Sequence, residues 1–181
     1  MRQTKFYHSI FGRRAKTAEV DWEDVYEEVL PKVYNYFRYR FFDNSVAEEL
    51  TSETMTRAWQ SRGRYDAEKA AFSTWVLGIA RFVAIDEFRE HADQAFPLDD
   101  IEPISQDAFI EDQMESRQKI EELKTFLEQL SPQEQEIISL KYAGGLTNRA
   151  IAGLLEMSES NVGTMLHRCM KKLRTQLGET I

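Results

Sequence analysis

A single cysteine, Cys169, stands among 181 residues. One thiol forms no internal disulfide and no cysteine-built zinc site, which points to a reducing, cytoplasmic compartment. Glycine and proline are also scarce, at eight and four, and leave little chain for loops. Strand-like alternation is rare too, so helices remain by elimination, and the expected fold is all-α. No apolar run approaches the ~20 residues of a membrane helix, so membrane insertion is not expected. The N-terminus lacks the apolar stretch of a secretory signal. The three histidines, His8, His91 and His167, lie in unrelated contexts with no HExxH pattern and no nucleophile elbow. Gly144-Gly145 reads as a helix terminator rather than a phosphate cradle. Cys169 sits on an apolar stripe and reads as a buried, inert thiol. No catalytic residue, metal ligand or cofactor is indicated, and the chain is not expected to be an enzyme.

What is present is charge, unevenly placed. The net charge is −8. Residues 1–20 carry five Lys/Arg against one Glu and read as a basic mobile tail. Residues 90–116 carry nine acids and no Lys or Arg. That acidic stretch holds Pro97 and Pro103 and lacks periodicity until about Phe109, so it reads as a linker or as a solvated loop. Total charge argues against nucleic acid, but its distribution is the relevant quantity.

The linker divides the chain into a helical unit over 21–90 and a second over 117–181. Because 91–116 has few apolar residues, it is expected to leave their mutual arrangement open. In the first unit, Asp21 is placed to cap a helix with Asp24 in its first turn. Trp22, Val25, Tyr26, Val29, Val33 and Phe37 share a face, and Pro31 is expected to kink or restart the helix. Ser45 and Glu48 have capping-box spacing at the next helix. Its apolar face is Ala47, Leu50, Met55, Ala58 and Trp59, with an irregular step at Thr54. Phe72, Trp75, Val76, Ile79, Ala80 and Val83 form the buried side of a third helix. In the second unit, Ile120, Leu123, Leu127 and Leu130 make one stripe. Ser131-Pro132-Gln133-Glu134 is a helix start. Thr147 caps a short helix carrying Ile151, Leu154 and Leu155. Ser158 caps the last, on which Val162, Leu166, Cys169, Leu173 and Leu177 recur.

The short helix, its turn and the last helix have the helix-turn-helix pattern. Ser160, Asn161, Thr164 and His167 project opposite the packing residues, where a major groove would lie. Gly163 permits close approach, and Arg168, Lys171, Lys172 and Arg174 suit phosphates. A plain helical hairpin with a basic last turn has the same pattern. The segment FSTWVLGIARFVAIDEFR at 72–89 is dense in aromatics. Such rings stack on unpaired bases at ~1–3 kcal/mol each, although aromatics at helical spacing are more often core.

Three segments together resemble a bacterial group IV, extracytoplasmic-function (ECF) sigma factor of the sigma-70 family. They are AEELTSETMTRAW at 47–59, FSTWVLGIARFVAIDEFR at 72–89, and the run from Leu130 to Arg174, in the family's order. The resemblance implies a region 2 helical bundle and a region 4 helix-turn-helix joined by the acidic linker. It implies that the chain confers promoter specificity on RNA polymerase. Glu48, Glu49, Glu53 and Arg57 would face the clamp coiled coil of the β′ subunit. Phe72, Trp75, Arg81, Phe82, Asp86 and Arg89 would take the unpaired minus-ten strand. Ser160, Asn161, Gly163, Thr164, His167, Arg168, Lys171 and Lys172 would read the minus-thirty-five duplex. The apolar face of region 4 would meet the β flap, and the acidic linker would thread toward the RNA exit path. The partners implied are core RNA polymerase, promoter DNA and an anti-sigma factor. The chain departs from the family in having Phe82 where Asn follows Arg, and Glu90-His91 where basic residues usually follow. Gly163-Thr164-Met165 also differs, so no minus-thirty-five sequence carries over. Two other readings fit parts of the pattern: a helix-turn-helix regulator without polymerase, and a decoy that sequesters an anti-sigma factor.

Overall fold

The computed structural model describes residues 22–91 and 122–176, the side chains of 23–25 excepted. Asp21, Ile120, Leu177, the basic tail and nearly all of the acidic stretch lie outside the described residues, as do the side chains of Asp24 and Val25. Among the described residues the secondary structure is helical: α1 (Trp22–Phe41), α2 (Asn44–Ser61), α3 (Phe72–Glu90), α4 (122–128), α5 (Pro132–Ile138), α6 (Asn148–Leu155) and α7 (Glu159–Gln176).

α1 runs unbroken through Pro31, contrary to the expected restart. Its buried stripe is Val29, Val33, Tyr36, Phe37, Arg40 and Phe41, at helical spacing. Tyr26 falls off that stripe and is exposed. Phe42 takes a left-handed φ of 56°, which ends α1. The cap of α2 is Asp43 rather than Ser45: its carboxylate accepts a hydrogen bond from the Val46 amide at 2.8 Å. A side-chain acceptor two residues earlier already caps the helix, so the Ser45–Glu48 spacing goes unused. Ala47, Leu50, Met55 and Ala58 are buried as expected. The irregular step is also filled, because Thr54 is fully buried. α3 buries Phe72, Trp75, Val76, Ile79, Ala80 and Val83, matching the sequence reading.

In the second unit Ser131 and Glu134 form the expected capping box, with Pro132 opening the helix. α5 continues into a π turn over Ser139–Ala143, where the Gly144 amide donates to the Ser139 carbonyl at 2.9 Å. Thr147 caps α6 through the Ala150 amide. Glu156 closes α6 in the left-handed region, and the Ser158 hydroxyl accepts from the Asn161 amide to start α7.

The two units are not independent. α1 and α3 of the first pack against α5, the π turn and α6 of the second, in one continuous hydrophobic core. Gly78 on α3 faces Leu154 of α6 so closely that a Cβ would lie 3.2 Å from its Cδ2. A Cβ at Gly144 would lie 2.9 Å from Leu77 Cδ1 and 2.9 Å from the Leu140 carbonyl oxygen. The expectation of an open arrangement considered only the linker. The contact is made by side chains of the helices themselves.

Candidate nucleic-acid and polymerase interface

α6 and α7 form the helix-turn-helix. Ile151, Leu154, Val162 and Leu166 are buried along it, and Cys169 continues the stripe. Burial pushes the Cys169 thiol upward, so it stays protonated and inert. The opposite face of α7 presents Ser160, Asn161, Thr164, His167, Arg168, Lys171, Lys172 and Arg174 to solvent. Gly163 lies beside Asn148 and is half-buried. The sequence-predicted duplex-reading residues therefore share one helix. Lys172 differs from the rest: its ammonium donates to Glu134 at 2.9 Å, tying α7 back to the start of α5. That hydrogen bond, with those from Ser131, holds the Glu134 carboxyl at about 2.

The α2 face carries Glu48 and Glu49, exposed, with Glu53 and Arg57 half-buried. Arg57 bridges Glu53 and Asp86, the latter at 3.3 Å. Burial alone would lower the Arg57 guanidinium, but its two carboxylate partners more than offset that and hold it above its usual value. Asp86, placed by sequence with the strand-binding group, is thus joined to the α2 face. Burial raises the Glu87 carboxyl, and Glu49, Glu90 and Glu53 add to it. This edge of α2 and α3 is acidic and suits a basic partner.

On α3 the aromatic residues divide. Phe72 and Trp75 are buried in a run of ring contacts: Trp59 to Trp22 at 5.1 Å, Trp22 to Phe72 at 5.3 Å, and Tyr65 to Phe72 at 5.2 Å. Their faces are spent on each other in this arrangement. Phe82 and Arg81 are half-buried, with the Arg81 guanidinium 5.9 Å from the Phe82 ring. Arg89 is exposed. Trp59, expected on the apolar side of α2, is instead 49% exposed, covered on one face by Arg62 at 4.0 Å.

Comparison with known proteins settles which family this architecture represents. Residues 25–94 match the model of Sigma-70 region 2, and residues 120–173 match that of Sigma-70, region 4. The RNA polymerase sigma factor CarQ of Myxococcus xanthus is 30% identical over 165 residues, covering 90% of this chain and 92% of CarQ. The chain belongs to the sigma-70 family of RNA polymerase sigma factors. ECF RNA polymerase sigma factors are among its relatives. SigX of Bacillus subtilis is 26% identical, covering 88% of this chain and 84% of SigX. BldN of Streptomyces coelicolor is 26% identical over 88% of this chain, which spans 62% of BldN's length. The fold also matches the sigma factor RpoE of Bartonella quintana, solved with the anti-sigma factor NepR. There the TM-score is 0.69 at 20% identity, covering 87% of this chain and 97% of that one.

Within this sigma factor the residues that sequence reasoning missed lie where the units meet. The Tyr36 hydroxyl donates to Glu136 at 2.9 Å. Arg40 pairs with Glu136 at 3.4 Å and donates to the Pro132 carbonyl and the Gln135 side chain. Arg81 reaches the same carboxylate at 3.7 Å. Arg40 and Glu136 side chains are 6% and 10% exposed, so this is a buried charge cluster. Burial, and then the Glu136 charge, push the Tyr36 phenol well above its usual value. A signal existed: Arg40 continues the stripe of Val33, Tyr36 and Phe37, and Glu136 precedes Ile137. A charge on a buried stripe implies a buried partner.

Proposed function

We propose that the chain is an ECF-type promoter-specificity subunit of RNA polymerase that directs transcription initiation from the cytoplasm. The observation that carries this reading is the pairing, in one chain, of an acidic α2 face with a helix-turn-helix whose polar face is wholly exposed. Residues 21–90 act as region 2 and 117–181 as region 4, with 91–116 between them. Glu48, Glu49 and Glu53 dock on a basic surface of the β′ clamp. Thr164, His167 and Arg168 read base edges, while Lys171 contacts phosphates. Arg81, Phe82 and Arg89 meet the unpaired strand. Phe72 and Trp75 support that surface from beneath. The chain supplies no bond chemistry, since phosphodiester formation belongs to the core enzyme, and an anti-sigma factor controls its access to core.

The reading is tested by mixing the chain with core polymerase and following open-complex formation by permanganate reactivity of unpaired thymines. Co-elution with core and thymine reactivity upstream of the start are expected. Duplex binding without core association would instead identify a stand-alone helix-turn-helix regulator.

A further inference from the structure

The cluster at the unit boundary has the composition of an anion site. Two guanidinium groups and a phenol hydroxyl, from α1 and α3 of the first unit, converge on one carboxylate from α5 of the second. Their donor capacity exceeds what that carboxylate uses. The Nε–H of Arg40 is buried without a hydrogen-bond acceptor, and that of Arg81 meets Glu136 only at ion-pair distance, 3.7 Å. Arg40 lies 5.0 Å over the Phe88 ring, and its polar partners Pro132, Gln135 and Glu136 come from the second unit. Arginine pairs suit the several oxygens of a phosphate.

We propose that Tyr36, Arg40 and Arg81 form a phosphodiester-binding site for the unpaired promoter strand, and that Glu136 occupies it in the closed arrangement seen here. This rests on the sigma reading above. The strand and region 4 then compete for one site. Arg81, at 24% exposed, is where solvent reaches the cluster. The closed arrangement also keeps the two units from reading separated DNA elements. DNA elements even one duplex turn apart lie about 34–36 Å from one another, whereas Arg81 and Glu136 are 3.7 Å apart. Withdrawal of Glu136 opens the chain and vacates the site in one motion, so promoter engagement and opening are coupled.

The test uses the full chain, a fluorescein-labelled single-stranded oligonucleotide read by anisotropy, and small-angle X-ray scattering. Wild type should scatter as a compact particle and bind the strand weakly. Glu136→Gln should enlarge the radius of gyration and tighten strand binding about tenfold. Glu136→Asp, which keeps the charge but shortens its reach, should give an intermediate gain. Adding Arg40→Met to Glu136→Gln should abolish the gain and lower the log–log salt slope by roughly 0.7, one single-strand phosphate contact. An expanded Glu136→Gln chain that binds no tighter overturns the phosphate site. A Glu136→Gln chain that stays compact, with helicity intact, overturns the latch. Wild-type core binding and promoter opening are scored in parallel, so that loss of those defeats the sigma reading, and their persistence without the strand effect defeats only this proposal.

Discussion

Replacing Tyr36 by Phe removes one oxygen from the buried contact between the two units and changes little else. The hydroxyl donates to the Glu136 carboxylate at 2.9 Å, and the tyrosine side chain is fully buried. A hydrogen bond to a charged acceptor contributes about 1.5–3 kcal/mol. Phenylalanine keeps the ring and its edge-on contact with Phe37 at 5.3 Å. No large cavity term is therefore added, and Arg40 and Arg81 still compensate the carboxylate. About 2 kcal/mol is the expected loss. For a chain of this length each kcal/mol moves the midpoint by roughly 2–4 °C, so Tm should fall by about 4–8 °C. Thermal unfolding followed by circular dichroism and calorimetry tests this. Because the bond joins the units, the variant should also broaden or split the transition. An unchanged midpoint with a single sharp transition would mean that the bond is not made in solution, and the account of the closed arrangement would fail.

Glu49→Lys should leave helicity unchanged and weaken core polymerase binding at least tenfold in a pull-down, because it reverses a charge on the exposed acidic face; equal binding would remove α2 from the docking surface. Lys171→Ala should weaken duplex binding about equally for all sequences and reduce the salt slope by roughly one, whereas Thr164→Ala and His167→Ala should alter base preference by ~1–3 kcal/mol per lost contact. Binding-site selection with each variant separates these, and the reverse pattern would show that α7 is docked the wrong way round. The Glu134 carboxyl is held at about 2 against an ordinary 4.5. Its contribution is therefore fully present above about pH 4.5 and is lost as pH falls through about 2. Urea midpoints should show Glu134→Gln less stable than wild type at pH 6, with the gap closing between pH 4.5 and 2; a gap independent of pH would contradict the Lys172 pairing.

The local elements were legible because their signals are local. Ser131-Pro132 and Glu134 carry a complete helix start, and Thr147 and Ser158 stand one residue before helices whose amides they satisfy. The stripe of α3 and that of α7 from Val162 through Cys169 also read correctly, since a period of 3.6 identifies a buried face without naming its partner. What the sequence hides is the partner. Trp59 has apolar chemistry on the apolar side of α2, but Arg62 covers it from the following turn and leaves half of it in solvent. Phe72 and Trp75 fit strand stacking equally well by residue type; only their packing with Trp22 and Tyr65 makes them core in this arrangement. The Glu136 cluster joins residues from three separate helices, with Tyr36 a hundred positions from Glu136, so no periodicity relates them. The exposed face of α7 was legible because it is the complement of a well-marked stripe.

The most direct test of the central claim is transcription itself. Core RNA polymerase, with and without this chain, is given genomic fragments, and the 5′ ends of the transcripts are mapped. The account predicts starts that appear only with the chain and share two upstream elements, the distal one shifting in sequence when Thr164 or His167 is replaced. Start sites identical with and without the chain would contradict it.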